Sequence, residues 1–165
     1  MAITRAKKET LLAGITDTLS KAVSLVFINF SGLTVHEGNQ IRASLKKEGV
    51  QYQVVKKTLL KRALGDKQYE GAMPELPGEV AIAYLTKGDD VTAPARELNT
   101  FVRKLAGKLA FLGGVLESKY LSQEETVGIA QIPSTPVLRG MFVNIINSPI
   151  QRMAIALNEI AKKKS

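Results

Sequence analysis

Leu11, Leu12, Ile15 and Leu19 recur at helical spacing behind a cationic start, so residues Ile3 to Ser20 predict an amphipathic helix. The period then changes. Ala22 to Phe30 is a β-branched and aromatic run ended by Ser31-Gly32, which predicts a buried strand breaking into a turn. Thr34 is placed to cap a helix running to about Glu48, with Ile41 and Leu45 inward and Gly49 as its stop. Val50 to Val55 alternates as a strand, and this strand-helix-strand sequence predicts a βαβ unit whose strands lie parallel in one sheet. Lys56 to Leu64 reads as a short lysine-rich helix, and Gly65 to Pro77 as a polar connection. A second round follows: strand Val80 to Leu85, a helix within Val91 to Leu105 with Leu98, Val102 and Leu105 on one face, and strand Leu109 to Leu116 around Gly113-Gly114. The order predicts an α+β fold, a ferredoxin-like split-βαβ domain with flanking helices.

A Ser-x-x-Glu box, Ser122 to Glu125, opens a small helix, and Ile132-Pro133-Ser134 closes the compact part. The expected division is a domain over 1–133 and a C-terminal helix over 134–165. Thr135 as cap and Pro136 at the first helical position begin that helix, broken and kinked midway at Asn147-Ser148-Pro149. Val137, Leu138, Met141, Phe142, Ile145, Ile146, Ile150, Met153, Leu157 and Ile160 recur along it at three- and four-residue intervals, with Arg139, Arg152 and Glu159 the only charges up to Ala161. Such a surface is too apolar for a free helix in water, and at ~1.5 Å per residue it spans about 40 Å. Three fates are open to it: completing the chain's own core, entering a partner's groove or bundle, or lying in a membrane plane with Lys162 to Lys164 at the headgroups.

Charge narrows the picture. The 165 residues carry a formal net charge of +8. By region it is +7 over residues 1–64 and +1 over the rest. That favours a polyanion, nucleic acid or an acidic membrane surface. Arg5, Lys7 and Lys8 on the first helix and Lys56, Lys57, Lys61 and Arg62 around the second strand's end could meet one polyanion, although either cluster could also be an ordinary solvated face. The spacing suits phosphate contacts, since only Tyr52 is near to stack on a base.

Catalysis and membrane insertion find little support. Without cysteine there is no disulfide, thiolate metal site or cysteine nucleophile. His36, the only histidine, reads as a surface residue near a helix cap; Asp89-Asp90 suits a helix N-terminus better than a metal, and Gly113-Gly114 a bulge or turn better than a phosphate loop. No enzyme, cofactor or metal is expected. The longest apolar run, Ala22 to Ile28, is far short of the roughly 18 residues that span a bilayer, and no signal-peptide core follows the N-terminus, so a cytoplasmic protein is expected.

Four segments carry a family resemblance: Ser31-Gly32-Leu33-Thr34-Val35 after the first strand, Gly49-Val50-x-Tyr52-x-Val54-Val55-Lys56 running into Thr58-Leu59, Gly113-Gly114-Val115-Leu116, and Ala130-x-Ile132-Pro133-Ser134 ahead of a long helix. In this order the chain resembles, over nearly its whole length, the bacterial large-subunit ribosomal protein ten family, the stalk-base proteins. The resemblance implies a domain bound to large-subunit rRNA beside ribosomal protein eleven. It also implies a C-terminal helix holding dimers of the acidic seven/twelve stalk proteins, which recruit translation GTPases. Carried over by position, the RNA contacts are Arg5, Lys7, Lys8, Gly32, Leu33, Thr34, Lys56, Lys57, Thr58, Lys61 and Arg62. The dimer contacts are Leu138, Met141, Phe142, Ile145, Ile146, Ile150, Met153, Leu157 and Ile160. Lys57 departs from the family, which usually has asparagine there; a phosphate contact would replace an amide contact. The helix length after Pro133 resembles that of members holding two dimers. The alternative is a basic RNA-binding or assembly module whose terminal helix completes its own core.

Overall fold

Strand β1 (Ser24–Phe30) is buried on both faces, and its alternation decides how the first part of the chain packs. Leu25 and Phe27 enter a cluster with Ile15 and Leu19 of helix α1 (Arg5–Lys21) and Leu60 and Leu64 of α3 (Lys57–Gly65). Val26 and Ile28 point the other way, to Ile41 and Leu45 of α2 (Val35–Lys47), Leu98 of α4 (Ala93–Lys104) and Ala130 of α5 (Gln123–Ala130). Each fully buried aliphatic or aromatic side chain contributes about 1.5–3 kcal/mol. The sheet is therefore covered on both faces, and among the described residues its two clusters draw on none after Ala130. The computed structural model describes residues 5–65, 67, 69–86, 90–105 and 107–164.

The sheet order is β2-β3-β1-β4-β5, every neighbouring pair antiparallel, where β2 is Val50–Val55, β3 Val80–Leu85, β4 Leu109–Leu116 and β5 Lys119–Leu121. This is the split-βαβ layout of an α+β fold: β1 and β2 run parallel, as the βαβ reading requires, but β3 lies between them. β2 is left at an edge. Gly113-Gly114 sits where β4 changes register against β1, Phe27 facing Gly113 and Ile28 facing Phe111, so Leu112 is the extra residue of a bulge. Glycine is required there. A Cβ on Gly114 would come within 2.7 Å of the Leu25 carbonyl, and Gly113 has φ +151°. Ser122 and Glu125 form the expected capping box of α5.

The chain divides into two compact units, one ending at Ile132 and the other beginning at Pro133. The second is helix α6 (Thr135–Lys164). Two expectations are corrected there. The Leu138 N–H donates to the Ser134 carbonyl at 2.9 Å, so the first turn closes on Ser134, one residue ahead of the expected Thr135 cap. Pro149 lies inside a helix that continues on both sides of it, rather than in a break. The ring removes one N–H, the donor for the Ile145 carbonyl; a proline bends a helix at that cost without ending it when good turns flank it.

Candidate nucleic-acid interface and partner helix

The turn after β1 is held from three directions. Phe30 N–H donates to the Glu79 carbonyl at 3.2 Å, and Ser31 N–H to the Lys108 carbonyl at 2.9 Å. Gly32 turns with φ +63°. Thr34 then caps α2: its Oγ1 accepts from Glu37 N–H at 3.3 Å, while Glu37 Oε2 accepts from Thr34 N–H at 2.7 Å. Lys108 Nζ donates to Glu37 Oε1 at 2.7 Å, tying the cap to the start of β4. The Lys108 hydrogen bond, then those from Thr34, hold the Glu37 carboxyl at about 2, against the direction of its partial burial. A depressed folded pKa gives stability that is complete above the ordinary value of 4.5 and is lost as pH falls toward about 2. Thermal unfolding from pH 7 to pH 2 should therefore show E37Q less stable than the wild type at neutral pH, with the gap closing as the acid limit is approached.

Beside this turn opens a cleft of about 460 Å³, lined by Phe30, Val54 to Thr58 and Gly78 to Val80. It brings the end of β1, the end of β2 and the start of β3 together, and Lys56, Lys57 and Thr58 are exposed at its mouth. Lys61 stands one helical turn beyond Lys57 on the same exposed side of α3, with Arg62 next to it. Leu11 and Ile15 of α1 share a smaller pocket with Lys56 and Leu59, so the turn of α1 that follows the exposed Lys8 runs alongside the strand end. The side chains of Arg5 and Lys7 lie outside the described residues. Among the described residues none of Lys8, Lys56, Lys57, Lys61 or Arg62 is in an ion pair. Glu79, exposed in the cleft, is an acidic neighbour for that cationic rim.

Three residues singled out in the sequence lie outside this cleft. Tyr52 is not in this cleft: it is half-buried on the α2 side of β2, with the Arg42 guanidinium 5.9 Å from its ring centre. Burial pushes its phenol up, against the pull of Arg42. Asp90 serves structure, accepting from Thr92 N–H at 3.2 Å, Thr92 Oγ1 at 2.7 Å and Arg96 Nη1 at 2.6 Å. Burial pushes its carboxyl up, but these donors outweigh it and leave the pKa lowered. Asp89 lies outside the described residues. His36 is exposed in the first turn of α2, 2.9 Å from Gln40. The Glu37–Lys108 brace and the Arg42–Tyr52 pair were missed. Only the Thr34-x-x-Glu37 spacing signals part of the former.

All the apolar side chains singled out on α6 are exposed: Val137 48%, Leu138 42%, Met141 47%, Phe142 65%, Ile145 70%, Ile146 60%, Ile150 69%, Met153 67%, Leu157 57% and Ile160 57%. Val143 and Ile155, outside the expected stripe, are exposed as well, so the apolar surface is wider than a single face. No helix among the described residues is long and apolar enough to cross a membrane.

Exposed cations on a braced sheet end and an uncovered apolar helix are the surfaces of an assembly protein, made for contact rather than for turnover. The comparisons with known proteins agree. Residues 3–103 match the Ribosomal protein L10 family. The Large ribosomal subunit protein uL10 of Lactobacillus johnsonii is 34% identical over 96% of this chain and 95% of its own. Those of Bacillus licheniformis (32%, covering 95% and 93%) and Thermotoga maritima (34%, covering 97% and 91%) are similar. The chain belongs to the Ribosomal protein L10 family. It is thus a structural, non-enzymatic protein of the large ribosomal subunit, in the cytoplasm.

Proposed function

We propose that the domain over 1–133 binds large-subunit rRNA at the stalk base, beside ribosomal protein eleven. The helix over 134–165 then holds two dimers of the acidic seven/twelve stalk proteins, through which translation GTPases are recruited. The RNA contacts proposed are the residues of the β1 turn, Gly32, Leu33 and Thr34, the strand-end group Lys56, Lys57, Thr58, Lys61 and Arg62, and Arg5, Lys7 and Lys8 of α1. Among the described residues, the exposed cations Lys8, Lys56, Lys57, Lys61 and Arg62 have no carboxylate partner and are available for phosphates, and a turn fixed by Glu37 and Lys108 presents its backbone without further ordering.

The observation that carries the scaffold half is the exposure of every apolar side chain on α6, together with domain clusters that, among the described residues, use none after Ala130. An apolar surface of that size marks a protein interface. Helix-in-groove or bundle packing would cover it. The test is a chain ending at Ser134. It is expected to unfold cooperatively at the same urea midpoint as the domain in the full chain and to keep its rRNA affinity; loss of the cooperative transition would assign α6 to the core instead.

A further inference from the structure

At the far end of edge strand β2 from the lysine cleft lies a second cleft, of about 420 Å³, lined by Arg42, Lys46, Gly49, Val50, Gln51 and Tyr52. Its chemistry differs from the first. Tyr52 supplies a half-buried aromatic face, with Arg42 over it at 5.9 Å. Gln51, the preceding residue on the strand, faces the other side of the sheet, where its Oε1 accepts from the Tyr84 hydroxyl at 2.7 Å. Lys46, one turn along α2 from Arg42, is exposed at the rim. Lys46 and Lys47 near a helix C-terminus are accounted for by the helix dipole alone, and Glu48 follows them. Arg42 is not: it sits a turn earlier and lies over an aromatic ring on the neighbouring strand.

We propose that this cleft takes one unpaired nucleotide of the RNA, its base against Tyr52 and the Arg42 guanidinium and its phosphate on Lys46. An aromatic face, a stackable cation and a phosphate-seeking ammonium in one cleft are the groups that hold splayed-out bases. Continuity with the first cleft favours RNA as the occupant over an acidic peptide. From Tyr52 to Lys56 the strand covers about 13 Å at ~3.3 Å per residue, and among the described residues its edge is unpaired, with Gln51, Gln53 and Val54 exposed. One RNA could follow that edge from the lysine rim to the tyrosine. The inference rests on the RNA-binding reading and gives the domain a second, stacking contact beyond the phosphate contacts.

The test uses the full chain and a transcript of stalk-base large-subunit rRNA, with affinity measured across a salt series for R42E/K46E, Tyr52→Leu, Tyr52→Phe and K56E/K57E. Matching thermal midpoints confirm that each variant is folded. Expected are a salt slope lowered by about 1 to 2 for R42E/K46E, a roughly 5- to 100-fold affinity loss at unchanged slope for Tyr52→Leu, and near-normal binding for Tyr52→Phe, which keeps the ring. If K56E/K57E weakens binding while R42E/K46E and Tyr52→Leu bind as wild type, the second cleft is overturned and the first stands. If R42E/K46E lowers the slope but Tyr52→Leu changes nothing, the stacked base is overturned. If none of the variants weakens binding, the RNA-binding reading fails with it.

Discussion

Reversing two charges in K56E/K57E is expected to weaken binding to the stalk-base rRNA fragment roughly 10- to 100-fold near physiological salt and to lower the salt slope by about 2. Both lysines are exposed, without an ion pair among the described residues, and set at the strand end where β1, β2 and β3 meet, so the variant removes two phosphate partners and leaves two repelling carboxylates. Neither side chain is in the core, so the thermal midpoint should hardly move. The variant also probes the departure from the family: if Lys57 takes a phosphate where the usual asparagine does not, Lys57→Asn alone should lower the slope by about 1. Filter binding or fluorescence anisotropy at four or more salt concentrations reads both effects. An unchanged slope for K56E/K57E would remove this rim from the RNA interface.

On the helix, F142D/I145D is expected to strip the acidic dimers nearest to it. Phe142 and Ile145 are 65% and 70% exposed in the chain alone, and burying such side chains against a partner contributes about 1.5–3 kcal/mol each. Two unpartnered carboxylates in the same interface add a desolvation cost. A loss of roughly a hundredfold or more in dimer affinity follows, with rRNA binding unchanged, because these residues contribute nothing to the domain's two clusters. Size-exclusion chromatography of the reconstituted complex separates the outcomes. Undiminished dimer binding would place the contact elsewhere on the helix or the domain.

How much of this was legible in the sequence depended on where the information sat. β2, β3 and β4 appear at the expected bounds because turn-forming residues flank them, Gly49 before β2 and Gly78 before β3. β5 was not visible: it has three residues, and its hairpin turns on Glu117 and Ser118 at φ 49° and 66°, without the glycine or asparagine that usually marks such a turn. The placing of β3 between β1 and β2 is a long-range pairing that a βαβ pattern names only as a class. For the candidate site, the cationic cluster at the end of β2 could be read as a run. The Glu37–Lys108 brace and the Arg42–Tyr52 pair join different elements, and beyond the Thr34-x-x-Glu37 box that places Glu37, no local spacing encodes them. Pro149 was expected to break the long helix midway, yet the helix is continuous through it, because one lost hydrogen bond is carried by the turns on either side.

Native mass spectrometry of the whole chain purified from its own cells, beside a chain ending at Ser134, separates the two units' roles most directly. The whole chain is expected to carry two acidic dimers and the shortened one to arrive bare. Two bare proteins, or dimers retained without α6, would contradict that division of roles.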